Sequence, residues 1–199
     1  MTDELPARIG ARCRVLAQDY KSNVARAVAD LAILRRGLGK QPGDDLASWG
    51  IVLRAAGRTL NEHTENPSRR EWAAHTSLTL FAYHQQSKRS LPMHQESVSI
   101  GSACRALIEA SGESSEESIR RRFHALGTST SIAELSHHAR SIVGLLRAED
   151  IAMDYARFTR DLINWQYPDS AANVRLRWGR DFYRLPSNDD PTSDEGNAA

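Results

Sequence analysis

Apolar residues recur along this chain at alternating spacings of three and four, and no run shows the β-branched alternation of a strand. The pattern predicts an all-α fold. Val24, Val28 and Leu31 mark one stripe at helical spacing. Trp49, Val52, Leu53, Ala56 and Leu60 mark a second, ahead of the polar break EHTENP. Three helix starts carry a box in which serine accepts from the third helical amide and glutamate reaches back: Ser68 with Glu71, Ser114 with Glu117, and Ser131 with Glu134. The helix opened by Ser68 runs through Trp72, Thr76, Leu80 and His84 and ends near Lys88, before the break at Pro92. A shorter one covers Ile100, Cys104, Leu107 and Ile108 and stops at Gly112. After Ser131 come Ile132, Leu135, Ala139, Ile142 and Leu146, and the period returns at Tyr155, Phe158, Leu162 and Trp165. Pro168 is expected to close that helix and Asp169 to cap the last one.

About eight helices joined by short connections predict a helical bundle. It divides near residue 92 into an N-terminal group over 1–91 and a C-terminal group over 92–185. Residues 186–199 have no apolar periodicity and are expected to form a disordered acidic tail.

Charge changes this picture little on average and considerably in distribution. The net charge is +1. The tail PSNDDPTSDEGNAA, however, holds four acids and no base, which leaves 26 bases against 21 acids in the body. Of those bases only Lys21, Lys40 and Lys88 are lysine, so the surface is rich in the planar fork that suits phosphate and carboxylate. No apolar run is long enough to span a membrane, and the start MTDELPARIG lacks the regions of a secretory signal. A cytoplasmic protein without a membrane partner is expected. Cys13 and Cys104 lie in helical segments without a second ligand at metal spacing, so neither a disulfide nor a zinc site is expected.

Residues placed at about 100° intervals sort the arginines by face. Ile119, Phe123 and Leu126 share one narrow face of their helix, leaving Arg121 nearly opposite and Arg120 and Arg122 on the flanks. Arg140 and Arg147 share a flank of the next helix, and His138 faces away from them. In LRRGLGK, Leu34 to Lys40, Gly37 is expected to take a left-handed turn that ends a helix. Arg35 and Arg36 then fall in the last turn, where cations suit the macrodipole. Arg35 also continues the stripe of Val28 and Leu31, so its stem is expected along apolar surface and its head on an acceptor or an anion. Lys40, on a glycine-flanked loop, is free to join it. In VRLRWGRDFYRL, Val174 to Leu185, the residues Val174, Trp178, Phe182 and Leu185 form an anchoring face. Arg177, Arg180 and Arg184 lie opposite, and Leu176 with Tyr183 forms a smaller stripe. Asp181, four after Arg177, is positioned to hold that side chain, leaving Arg180 and Arg184 the freer pair.

Catalytic constellations are thin. The chain has no HExxH, no nucleophile elbow and no glycine-rich phosphate loop after a strand. Neighbouring His137 and His138 point about 100° apart, which is poor geometry for sharing a metal. His84 reads as a hydrogen-bonded core histidine and Asp154 as a helix cap. No partner is spaced to make a hydrolase of His84, His94 or His124. Neither enzymatic activity nor a cofactor is expected.

Six motifs occur in order: LAILRRGLGKQPG (31–43), FAYHQQSK (81–88), RRRFHAL (120–126), HHARSIVGLLR (137–147), DYARFTRDLINWQ (154–166) and VRLRWGRDFYR (174–184). Over roughly residues 5 to 185 the chain resembles the CasB family, the small subunit of the type I-E CRISPR Cascade complex. The resemblance implies an all-helical, non-catalytic subunit that pairs with a second copy of itself and bridges the backbone and large subunits. It also implies contact with CRISPR RNA, target DNA and especially the displaced single strand. The family's basic surface maps onto Arg35, Arg36 and Lys40, and onto Arg121, Arg122 and Arg140. Arg180 and Arg184 join them as candidate nucleic-acid contacts on the strength of their free helical face. The alternative is a scaffold subunit whose arginines pair with acids on neighbouring proteins. The acidic tail departs from the family core.

Overall fold

The computed structural model describes residues 4–60 and 65–184. The predicted tail disorder concerns residues 186–199 and lies outside the described residues. Among the described residues there are nine α-helices and no strand: α1 (Glu4–Lys21), α2 (Ala25–Arg36), α3 (Leu46–Ala56), α4 (Arg69–His84), α5 (Ile100–Ser111), α6 (Glu113–Thr128), α7 (Ile132–Ala148), α8 (Tyr155–Trp165) and α9 (Pro168–Tyr183). The all-α bundle is as the periodicity predicted. None of these helices is long and apolar enough to cross a membrane.

α4 is the axis of the molecule. Residues Ala73 to Ala82 are buried without a break, and α1, α2, α3, α7 and α8 all pack against it. A helix apolar or small on every side cannot announce its partners through one stripe, so the predicted face of Trp72, Thr76, Leu80 and His84 is only part of its contact surface. The capping box at its start is complete: the Glu71 amide donates to Ser68 Oγ at 3.3 Å and the Ser68 amide to Glu71 Oε2 at 2.7 Å. α1 lies along α8, its face Leu5, Ile9, Cys13 and Leu16 fully covered. α5 packs on α9 at Gly101, where an added Cβ would stand 2.3 Å from the Trp178 carbonyl oxygen. α6 and α7 pair beside them, and Phe123 stacks on Phe182 with ring centroids 4.2 Å apart.

Several local expectations are corrected. α2 buries Ala27, Leu31 and Leu34, while Val24 is its exposed N-cap, so the stripe is rotated from the one predicted. α3 buries Ile51 and Val52 and leaves Leu53 on the outside. α4 ends at His84 rather than near Lys88, because the loop that follows is held by Gln85. The side-chain amide of Gln85 donates to the carbonyls of Lys88 and Leu91 and its oxygen accepts from the Met93 amide. α6 begins at Glu113, with Gly112 as its N-cap, so Ser114 lies inside the helix rather than before it. Pro168 opens α9 instead of closing α8, since its fixed φ suits the first helical position. The N-cap there is Tyr167, with no side-chain bond, in place of the expected Asp169.

Candidate nucleic-acid interface

The LRRGLGK segment enters the site through a close approach, not through a left-handed turn at Gly37. Gly37 has φ −78°, and the positive φ falls on Gly39 instead. A Cβ on Gly37 would stand 2.5 Å from Ser48 Oγ, so the absence of a side chain lets the end of α2 sit against α3 and α4. His75 Nε2 donates to the Gly37 carbonyl at 3.1 Å and fixes it there. Burial pushes the pKa of His75 down, so it holds this turn as a neutral ring.

Past Gly39 the chain presents Lys40 at the mouth of a cleft of about 200 Å³. The floor is α4, through Trp72, Thr76 and Leu80; the far wall is α7, through Ser136, His137 and Arg140. Thr76 Oγ1 and Ser136 Oγ, 3.2 Å apart, tie the two helices at the base. A cation from the α2–α3 loop and one from α7, distant in sequence, thus face a common opening. Lys40 Nζ is 3.5 Å from Asp45 Oδ2, an exposed pair of small energetic weight. The Asp45 carboxyl, held below its usual range first by the Ser48 amide and then by Lys40, also caps α3. Arg140 has no acid partner among the described residues; its guanidinium stands 5.9 Å from the centre of the Tyr83 ring. Arg147 covers the same ring at 4.5 Å and donates to Gln86 Oε1 at 3.0 Å. The shared flank predicted for Arg140 and Arg147 is therefore real, with Tyr83 as its aromatic support.

The remaining predicted cations divide into free and committed groups. Arg35 and Arg36 end α2, half-buried and exposed respectively, without a hydrogen-bond or ion-pair partner among the described residues. Arg121 projects from α6 and is likewise unpaired, as its position opposite the core face required. Arg122 is committed to protein, donating to Ser141 Oγ at 3.2 Å and to the Ser118 carbonyl at 3.1 Å. Arg120 is held by Glu116 at 2.7 Å. Arg180 on α9 and Arg184 just past its end are exposed with unpaired side chains among the described residues, and no contact links them to the cleft.

The expected pair of Arg177 with Asp181 does not form. Arg177 Nη2 donates across to Asp161 Oδ1 at 2.9 Å, and Asp181 accepts from Arg157 at 2.6 Å. Asp161 is nearly fully buried and also accepts from Trp178 Nε1 at 2.7 Å. A buried carboxylate needs such donors far more than an exposed i,i+4 pair needs closure.

His84 is the hydrogen-bonded core histidine that its helix face predicted. His84 Nδ1 is 3.0 Å from the Tyr155 hydroxyl, both side chains fully buried between α4 and α8. Burial pushes the His84 pKa down to about 3 and raises that of Tyr155 well above its ordinary value. His94 Nδ1 accepts the Tyr155 amide at 3.1 Å. Asp154 caps α8 through the Arg157 amide at 3.0 Å. Cys13 and Cys104 are free, buried thiols. Among the described residues no group of three or more histidine, cysteine or acidic side chains could hold a metal ion.

The sequence reading did not anticipate Trp72, Thr76 and His137 as cleft lining, nor Tyr83 under two arginines. The one available signal was Tyr83 standing immediately off the apolar stripe of α4, next to His84.

Residues 30–183 match the family described as CRISPR-associated protein Cse2. CasB from Thermobifida fusca is 35% identical to the chain, with 89% of this chain and 97% of that one covered at a TM-score of 0.75. CasB from Thermus thermophilus, at 22% identity and a TM-score of 0.64, shares the fold over 88% of this chain and 98% of that one. A chain of a CRISPR RNA-guided surveillance complex, also 22% identical, shares it at a TM-score of 0.66 over 88% and 94%. No curated protein matches the sequence.

Proposed function

The chain belongs to the Cse2 family of CRISPR-associated proteins, and from that membership we propose that it is the small, non-catalytic subunit of a type I-E Cascade surveillance complex. Its part is to hold nucleic-acid backbone, from the guide and target hybrid and from the displaced strand, while contacting a second copy and the neighbouring subunits. The cleft between Lys40 and Arg140 carries this reading. Two cations from separate elements, one without an acid partner, open onto a floor with an indole and hydroxyl groups. Such a surface attracts phosphate without reading bases. Arg35, Arg36 and Arg121 extend the unpaired charge, and Arg180 with Arg184 offers a second patch.

Modest contacts of this kind suffice. Exchange of a DNA duplex for an RNA–DNA hybrid is nearly balanced, so a subunit that stabilises the displaced strand tips the equilibrium. In a reconstituted complex, Lys40→Ala with Arg140→Ala is expected to raise permanganate reactivity of displaced-strand thymines without loss of assembly. Unchanged reactivity in the assembled complex would count against the cleft.

A scaffold role is favoured by a different observation. Leu176 and Tyr183, seven apart on α9, are half exposed, and Arg120, Arg122 and Arg147 are spent inside the protein. Loss of assembly in the cleft variant, with cross-links from residues 34–40 to protein and none to RNA or DNA, would select it.

A further inference from the structure

A second cavity, of about 660 Å³, has no part in this reading. Two helix junctions meet there, the turn from α6 to α7 and the turn from α8 to α9, with Arg69 at the start of α4 beside them. Among the described residues the charged ones that line it are Arg69 and Arg175, and no acid does. Neither arginine is engaged by a carboxylate among the described residues: Arg69 stands 4.4 Å over the Tyr167 ring, and Arg175 stands 5.8 Å from the Trp165 ring centre.

The backbone and side chains around it favour a negative guest. Side chains occupy some of the carbonyls at the C-terminal ends of α6 and α8. The Thr128 and Ser129 hydroxyls donate to those of His124 and Ala125, and the Gln166 amide donates to those of Leu162 and Arg69. At the N-terminal end of α9 no side chain caps the backbone and Pro168 occupies the first position, while the Ser170 and Ala171 amides bond to the Tyr167 carbonyl. The start of this 16-residue helix lies beside the two arginines, with Asp169 in its first turn. Trp165, 6% exposed in the cavity wall, adds an independent sign. Its indole Nε1–H is buried and has no acceptor among the described residues. A native fold rarely leaves such a donor unmet, and a ligand oxygen would meet it.

We propose that this cavity is an oxyanion site that takes a phosphate group through Arg69, Arg175 and Trp165. The phosphate is either free inorganic phosphate or the terminal monoester of a nucleic-acid strand. The site is separate from the Lys40–Arg140 cleft, so it stands or falls on its own variants.

Calorimetric titration of the full chain with inorganic phosphate is expected to show saturable binding. Arg69→Gln and Arg175→Gln are each expected to weaken it about tenfold, the loss of one charge-assisted contact. Both arginines are exposed and free of acid partners, so these variants leave the fold intact, and Arg140→Ala leaves phosphate binding unchanged. A 5′-phosphorylated oligonucleotide compared with its 5′-hydroxyl twin separates the sources. Tighter binding of the phosphorylated strand, lost in Arg175→Gln, identifies a strand end. Equal binding of the strands alongside saturable inorganic phosphate identifies a free anion. The proposal is overturned if phosphate does not saturate and the two strands bind alike, or if binding survives both arginine variants.

Discussion

His84 shows how a single buried side chain reports on the whole interior. Desolvation dominates its environment and a hydrogen bond involving the Ile151 backbone opposes it only in part, so the ring stays neutral with a pKa near 3. In the unfolded chain the same ring titrates near its ordinary 6.5. As pH falls below 6.5 the unfolded state takes up a proton that the folded state refuses, and the stability present above that pH drains away towards pH 3. His75 and His94 are shifted in the same direction by burial. The urea midpoint is therefore expected to fall between pH 7 and pH 5, with His84 alone contributing about 2 kcal/mol. His84→Gln, which keeps a polar partner for Tyr155 but has no proton to gain, is expected to flatten that dependence. A midpoint indifferent to pH over this range would contradict the assignment. At this scale the sequence was readable where one residue's role depends on its own helix, as with Asp154. It misled where the partner lay across a helix interface, as with Arg177 and the buried Asp161.

The helices themselves were legible wherever a cap and a period coincided. Ser68, Ser131 and Gly112 mark real helix boundaries, and the faces of α7 and α8 bury the residues their spacing nominated apart from the half-buried Ile132. The orientation of α2 and the surroundings of α4 were not legible, because a helix at the centre of a bundle carries apolar residues all round and periodicity loses its contrast. Glycine makes the same point between elements. Gly101 lets α5 meet the α9 backbone, whereas nothing lies within 4 Å of a Cβ placed on Gly179 in α9 itself. Gly101→Ala is expected to lose about 1–3 kcal/mol through overpacking against a carbonyl that cannot step aside. Gly179→Ala is expected to gain up to about 1 kcal/mol from helix propensity. Thermal melts of the two variants test this directly; equal shifts would show that α5 and α9 are not in the contact described.

For the whole molecule, the family and the helical architecture could be read from six motifs, but the site could not be assembled from them. Lys40 and Arg140 were each nominated on local grounds. Only the packing of α2, α4 and α7 places them at one opening, and the floor of Trp72 and Thr76 had no local signature. The same packing commits Arg122 to Ser118 and Ser141 while leaving Arg121 unpaired, a distinction that a run of three arginines cannot encode. The central claim is that this unpaired charge holds nucleic-acid backbone, and its most direct test is the salt dependence of single-stranded DNA binding by the intact chain. If about six phosphates are contacted, log affinity is expected to fall with log salt at a slope of about −4, and Lys40→Ala with Arg140→Ala to reduce that slope by about 1.4. Binding that ignores salt, or a slope unchanged by the double substitution, would contradict the account.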